Sequence, residues 1–289
     1  MKLALLYAWP MLGTHRRNAA LVAAALIILG TPIASTYLSA QWVRYSPPGA
    51  PRKADGSVDT AAPAPKLANG KPDFSGIWTS DEVDARNPGV PPNPYDATTS
   101  RRMINLGIEL KGGLPYQPWL QALVKERTAN KAVDDPHIKC MPDNFLRSYG
   151  APHLWKFVHT PSILVGLNEW NAQYRQIFAD GRGLPEDPVP GWQGYSVAKW
   201  DGDALVVDTI GIRDGSWIDW NGSEVGEQAK VREVFTRPDF GHLRVEVTVN
   251  DPKGYTKPWT VLVKERLITE TELLDEMCLE NEKSLQHMK

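Results

Sequence analysis

The sequence predicts a mainly β protein, an antiparallel up-and-down barrel or sandwich with one packed helix, preceded by a single N-terminal transmembrane helix. Three observations carry this. From His153 onward, short runs rich in Val, Ile, Thr and aromatic residues alternate with Gly, Pro and Asp turns, and no βαβ rhythm interrupts them. Behind the front segment, the stretch Pro118–Asn130 has helical periodicity. From Asn18 to Val43 no side chain is charged, a run longer than the roughly 20 residues that cross a ~30 Å hydrocarbon layer.

At the front, Ala19, Leu21, Leu26, Ile27, Ile28 and Leu29 supply the apolar body, and residues 19–40 are the part expected to contact the lipid bilayer. Arg16 and Arg17 bound it on one side, while Tyr37 and Trp42 fall where interfacial aromatics sit. Two readings stand. Residues 1–43 are either a cytoplasmic leader with a retained membrane anchor, or a signal peptide cleaved near Ala40 after Leu38-Ser39. The leader Met1–Gly13 is long and apolar where a signal peptide is short and basic, which favours the anchor. Lys2, Arg16 and Arg17 on one side nearly balance Arg44, Arg52 and Lys53 on the other, so charge does not orient the segment. An apolar segment ahead of a folded domain most simply exports it. The expected localisation is therefore the inner membrane, single-pass, with the large domain in the periplasm, or the soluble periplasm after cleavage.

Residues 44–71 are rich in Pro and Ala and poor in large apolar side chains, so they read as an extended tether. The β-rich domain is 72–289. It opens on a short strand, Pro72–Trp78, after which Asn87-Pro88-Gly89 and Pro91–Pro94 impose an irregular segment. In the helix at 118–130 proline suits the first turn, and Trp119, Leu120, Leu123 and Val124 share a face expected to pack on the sheet. Strands follow at 153–159, 162–169 and 173–179, and Asp180-Gly181 then turns the chain. Strands 195–200 and 203–209 flank Asp201-Gly202, a dipeptide suited to a two-residue hairpin turn. The last three strands, 229–237, 241–250 and 259–268, include the alternation Leu243, Val245, Val247, Val249 against His242, Arg244, Glu246, Thr248, which buries one face and wets the other. About eight or nine strands joined by short turns make a barrel or a sandwich.

A net charge of −2 leaves no basic footprint for nucleic acid. The two cysteines, Cys140 and Cys278, either pair in an oxidising compartment, tying the start of the domain to its end, or remain two buried thiols. His137 and Cys140 have a metal-compatible spacing but lack the further ligands a zinc site needs, so neither a metal nor a cofactor is expected. No nucleophile-elbow or phosphate-cradling glycine motif is present. His159, Asp180, Arg182, Glu186 and Asp187 come from strand ends and turns, where a carboxylate pair and a histidine could do acid–base work; alternatively, the aspartates simply cap local turns. Trp192, Tyr195, Trp200, Trp217 and Trp220 cluster along the central hairpin and the following loop, as core, as an interface or as a ligand platform.

Asp180-Gly181-Arg182, Trp200-Asp-Gly-Asp-Ala-Leu-Val-Val207 and Asp251-Pro-Lys-Gly-Tyr-Thr-Lys-Pro-Trp259, with Cys278, form a pattern that resembles a group of exported bacterial β-rich proteins. The likeness spans about residues 135–283 plus Pro72–Trp78, implies export and a β-rich domain, and supplies no reaction. Relatives of that group carry several histidines in the segment matching Gly222–Phe235, whereas this chain has none there, which turns the expectation from catalysis toward binding or scaffolding. Gly76-Ile77-Trp78 also looks like the Gly-x-Trp start of lipocalin-type barrels, which implies a small apolar ligand in the barrel mouth. The sequence thus favours a membrane-anchored accessory subunit that docks its β-rich domain on a protein partner in a larger membrane complex, an energy-transducing one among the candidates. A lipocalin-like binder and a secreted enzyme with a turn-borne His/Asp site are the alternatives.

Overall fold

The computed structural model describes residues 49–82 and 97–278. The expected anchor, from Ala19 to Trp42, and the proline-rich stretch Asn87–Pro94 lie outside the described residues. Among the described residues no helix is long and apolar enough to cross a membrane.

Among the described residues eleven strands are formed: β1 (Gly76–Ser80), β2 (Trp155–Thr160), β3 (Ile163–Asn168), β4 (Gln173–Phe178), β5 (Tyr195–Asp201), β6 (Ala204–Ile210), β7 (Ser216–Trp217), β8 (Glu224–Val225), β9 (Lys230–Thr236), β10 (His242–Asn250) and β11 (Trp259–Ile268). Nine of them close into a barrel in chain order, β1 to β6 followed by β9, β10 and β11, with β11 pairing back onto β1; β7 and β8 make a separate two-stranded ribbon. The architecture is a barrel, not a sandwich. Period-two patterning explains the closure. On β10, Leu243, Val245, Val247 and Val249 are buried while Arg244 and Glu246 face solvent, and β9 and β11 continue the same alternation around the ring. The β5–β6 hairpin turns at Asp201-Gly202 as its composition dictates, with Gly202 at φ +57°, a conformation glycine adopts without steric cost.

Nine is odd, and that has a geometric consequence. Strands around a closed ring can alternate in direction throughout only if their number is even, so at least one neighbouring pair here must run parallel. That pair is β4 and β5, and their ladder holds only two positions, Ile177 opposite Ser196 and Phe178 opposite Val197. Because β4 and β5 point the same way, residues 179–194 have to carry the chain back from one rim to the other.

The barrel interior is filled with side chains. Trp78, Phe157, Leu164, Leu205, Val207, Phe235, Val245 and Val263 form one continuous cluster. Phe74 stacks with His159 and Trp200 at centroid distances of 5.3 and 6.0 Å. Two helices join this core: α1 (Pro118–Ala129) through Leu120 and Val124, and the short α2 (Phe145–Ser148), which is buried along its length. Within the apolar interior lies a charged pair. The Arg175 guanidinium binds both carboxylate oxygens of Glu233, stacks at 3.6 Å on the Phe145 ring, and donates to Thr209 Oγ1 (3.0 Å) and Ser196 Oγ (3.2 Å). Tyr149 donates to Glu233 Oε1 at 2.5 Å, and burial together with the Glu233 charge pushes its phenol well above the usual range, so it stays a donor.

Two expectations need correction. Trp119 does not join the buried face of α1; it is 44% exposed, because its indole N–H is drawn to the Lys253 carbonyl (2.8 Å) in the β10–β11 connection. Residues 49–71 do not run as a free tether either. Bridges pair Arg52 with Val58 and Lys66 with Pro72, and Gly241 and Phe240 donate to the carbonyls of Thr60 (2.8 Å) and Ala62 (2.7 Å). The cause is local: Asp55 and Asn69 accept from the backbone N–H two residues on, closing turns that composition alone does not reveal. The chain can then attach to the barrel through backbone bonds, without apolar side chains of its own.

Removing one partner of a buried pair strands the other charge, which costs about 3–5 kcal/mol. Arg175→Met should lose that much in urea unfolding, and Arg175→Met with Glu233→Leu should regain at least half of it. Burial also pushes the Glu265 carboxyl well above its ordinary value, with Glu82 adding to the effect. The folded chain therefore keeps a proton that the unfolded chain releases. This contribution is fully present below the unfolded pKa and is lost as pH rises toward the raised folded value. Between about pH 5 and 7 the stability of Glu265→Gln relative to the native chain should rise by up to about 1.4 kcal/mol per pH unit; a constant difference would show that Glu265 titrates normally.

Candidate functional site

The short parallel ladder leaves β4 and the chain entering β5 diverging from one another, and a groove of about 530 Å³ opens along them. This volume lies within the range of small-molecule sites, roughly 300–1,000 Å³. Tyr174, Gln176 and Phe178 of β4 form one wall, and Trp192, Gln193 and Tyr195 form the other. Gly194 makes the second wall feasible. It has φ +62°, and a Cβ there would meet the Ile210 carbonyl oxygen at 2.7 Å, so only glycine lets the chain run this close to β6.

A buried ionic cluster holds the groove from behind. Arg147 of α2 is 2% exposed, binds Asp135 through both terminal nitrogens (2.8 and 2.5 Å) and binds Asp143 at 2.8 Å. His137 adds a 2.7 Å contact from Nδ1 to Asp143 and accepts from the Trp170 indole at 2.9 Å. The loop fixed in this way supplies two supports. Asn144 donates to the Trp192 carbonyl (2.7 Å), and the Asp143 carbonyl accepts from Gln193 Nε2 (2.8 Å). Arginines brace the aromatic rings: Arg213 lies 4.5 Å over Trp192, while Arg182 lies 3.9 Å over Phe178 and donates to the Tyr195 hydroxyl at 3.3 Å.

Three amides in this region are each bonded at one end only. Gln193 Nε2 donates to a backbone carbonyl, which fixes its orientation, and the same nitrogen donates to Gln173 Oε1 (2.7 Å), which fixes Gln173 in turn. Asn171 Oδ1 accepts from Cys278 N–H (3.3 Å). What remains is one acceptor, Gln193 Oε1, and two donors, Gln173 Nε2 and Asn171 Nδ2, all buried without a hydrogen-bond partner.

The residues singled out from sequence are dispersed. His159 is buried; its Nδ1 accepts from Phe74 N–H, its Nε2 has no partner, and burial pushes its pKa down. Asp180 is held low by its hydrogen bonds to Arg182, in an exposed pair, and Asp187 and Glu186 lie further along the crossover. The recorded bonds of His159 and of Asp180 do not join them into one site. Of the five aromatics, Trp192 and Tyr195 line the groove, Trp200 stacks on Phe74, Trp217 is core with Arg127 over its ring at 4.6 Å, and Trp220 is 42% exposed. Tyr174, Phe178, Gln173, Gln193 and Asn171 were not singled out. A signal was available for the first two, which share the outward face of β4 two alternations apart.

Cys140 and Cys278 form a disulfide. Beside it, Glu276 accepts from Asn171 N–H (2.8 Å), so the end of the described chain is tied to the groove's margin. Among the described residues no group of three or more His, Cys, Asp or Glu is placed to hold a metal ion. No protein-family model, curated protein or solved structure matches the chain.

The disulfide closes a loop of 138 residues. Reduction, or replacement of both cysteines by serine, should lower stability by about 2–4 kcal/mol in urea unfolding; an unchanged midpoint would mean that the tail is held by Glu276 on Asn171 N–H and by Leu274 N–H donating to Glu169 Oε1 (3.0 Å).

Proposed function

We propose that this protein is a membrane-anchored, extracytoplasmic binding subunit that docks its barrel on a larger membrane assembly, with the β4–β5 groove as its recognition site. The observation that carries this reading is the groove itself: aromatic walls braced by arginines, with a buried ionic cluster behind them. Such construction supports binding to a rigid, preorganised surface. The apolar run 19–40 supports the anchor, and the disulfide fits an oxidising compartment outside the cytoplasm. The likeness to exported β-rich proteins agrees with both, and an energy-transducing complex is one assembly of the right location. An apolar ligand inside the barrel is less favoured, since Trp78, Phe157 and Phe235 occupy the interior. Catalysis by His159 with the Asp180 turn is less favoured too, since His159 is spent on the Phe74 backbone and Asp180 on Arg182.

The test separates anchor from groove. Deleting residues 1–45 should release the domain from membranes and abolish recovery of partner proteins with it. Trp192→Ala with Tyr195→Ala should leave the chain in the membrane and reduce partner recovery at least about tenfold, the loss of a hot-spot pair. Undiminished recovery with both variants would sink the proposal.

A further inference from the structure

The outer surface of the barrel changes character around the ring. On β9, β10 and β11 it is charged and polar, with Arg244 opposite Lys264 and Thr236, and Thr248 opposite Thr260 and Arg232. On β2, β3 and β4 the outward side chains alternate with buried ones and fall into three rows. Strand register sets Lys156, Leu167 and Tyr174 side by side, then Val158, Val165 and Gln176, then Thr160, Ile163 and Phe178. Six of these nine are aliphatic or aromatic, and Val158 and Tyr174 are 44% and 64% exposed. Lys156, the one charge among them, is paired with Glu272 at 2.5 Å. Three six-residue strands about 4.8 Å apart make a patch of roughly 300 Å². Exposed apolar surface on that scale commonly serves a contact.

Size and position select what covers this face. Two copies packed on it would bury about 600 Å² in total, half the roughly 1,200 Å² at which stable protein interfaces begin. A bilayer needs no such area when the domain is already tied to it, because a tether makes the contact intramolecular, with an effective concentration in the millimolar range. The described chain starts beside the patch. Gly49 and Ala50 line a cavity of about 350 Å³ together with Lys156 and with Ile77, its partner across the β1–β2 ladder. Only residues 44–48 separate Gly49 from Val43, where the uncharged run ends, and that length of chain fully extended spans about 20 Å. Lys156 and Arg182, the cations at the margins, are taken by Glu272 and Asp180, so the face offers apolar contact rather than attraction to anionic headgroups. We propose that the outer face of β2–β4 rests on the lipid bilayer, with Val158, Val165 and Leu167 at the boundary between headgroups and acyl chains. The groove then opens at the membrane surface, because Tyr174 and Phe178 belong to both. This assignment rests on the membrane-anchored reading set out above.

Full-length protein is reconstituted in phosphatidylcholine vesicles without other proteins. It carries a nitroxide on Val158→Cys or Leu167→Cys of this face, or on Glu246→Cys of β10, which lies across the barrel. Collision with a water-soluble nickel chelate should be at least about threefold slower at 158 and 167 than at 246, as for side chains sunk about 5–10 Å into the interface. Added salt should leave the difference unchanged. Val158→Asp with Val165→Asp should raise the rate at 167 to that at 246, in protein that keeps its urea midpoint and stays in the carbonate-washed membrane pellet. Val165→Ser, a milder change, should raise it in part. Equal rates at 158 and 246 in protein that stays in the pellet overturn the bilayer assignment, leave the face to a protein partner, and do not touch the anchor. Shielding that fades as the protein is diluted in lipid marks a second copy and overturns it too. Protein that carbonate washes off the vesicles removes the anchor reading, and this assignment falls with it.

Discussion

Parity governs this fold. A ring of nine strands cannot alternate in direction all the way round, and the one pair that breaks the alternation determines where the protein is irregular. A parallel step cannot be made with a tight turn, so 16 residues (179–194) are committed to a crossover between β4 and β5. Only two ladder positions hold β4 and β5 together, against six between β3 and β4. The groove follows from this mismatch. It is the space left when a strand with a full partner on one side has a partial one on the other.

A weak seam in a closed barrel needs support from outside the ladder, and here the support is ionic and buried. Arg175 is on β4 and Glu233 on β9, and the arginine also reaches Ser196 of β5 and Thr209 of β6. The guanidinium therefore ties β4 across the seam to strands its own backbone scarcely touches. Arg147 plays the equivalent part on the loop behind, holding Asp135 and Asp143 so that Asn144 and the Asp143 carbonyl present themselves to Trp192 and Gln193. Buried pairs of this sort contribute little net stability over an apolar substitute but fix geometry, because an unpaired alternative is so unfavourable. Fixed geometry of this kind suits the recognition role proposed for the groove.

The strands of the barrel were legible in the sequence because each is an alternating run bounded by turn residues, and β5–β6 and β10 are the plainest cases. What the sequence does not display is partnership. Glu233 reads as one more polar position in β9 and Arg175 as one more in β4, yet both point inward and meet in the core. The parallel step was hidden for a related reason: whether a barrel closes on eight strands or nine is decided by β1 pairing with β11, a contact across nearly the whole domain. Two of the groove's aromatics, Trp192 and Tyr195, are among the five that the sequence singles out, with core, interface and ligand platform all left open. The amides were not, since glutamine and asparagine acquire significance only from what binds their other end. The segment 49–71 misled for the opposite reason: its composition lacks core residues, but backbone groups and Asx turns fasten it without any.

A filled barrel and an external groove belong together. In barrels that carry a ligand inside, the interior must be spared by its own side chains, and the walls can then be regular. Here the interior is occupied by tryptophan, phenylalanine, valine and a salt-bridged arginine, and the groove lies outside it, where the ladder between β4 and β5 is shortest. Buried amide ends at such a place are destabilising while unpaired, each by roughly 1–3 kcal/mol, and packing alone would replace them by apolar side chains of similar size. The wall around them is already braced by Arg147, Arg213 and a disulfide-tied tail, and these rigid surroundings let the fold carry the local cost of the unpaired amides.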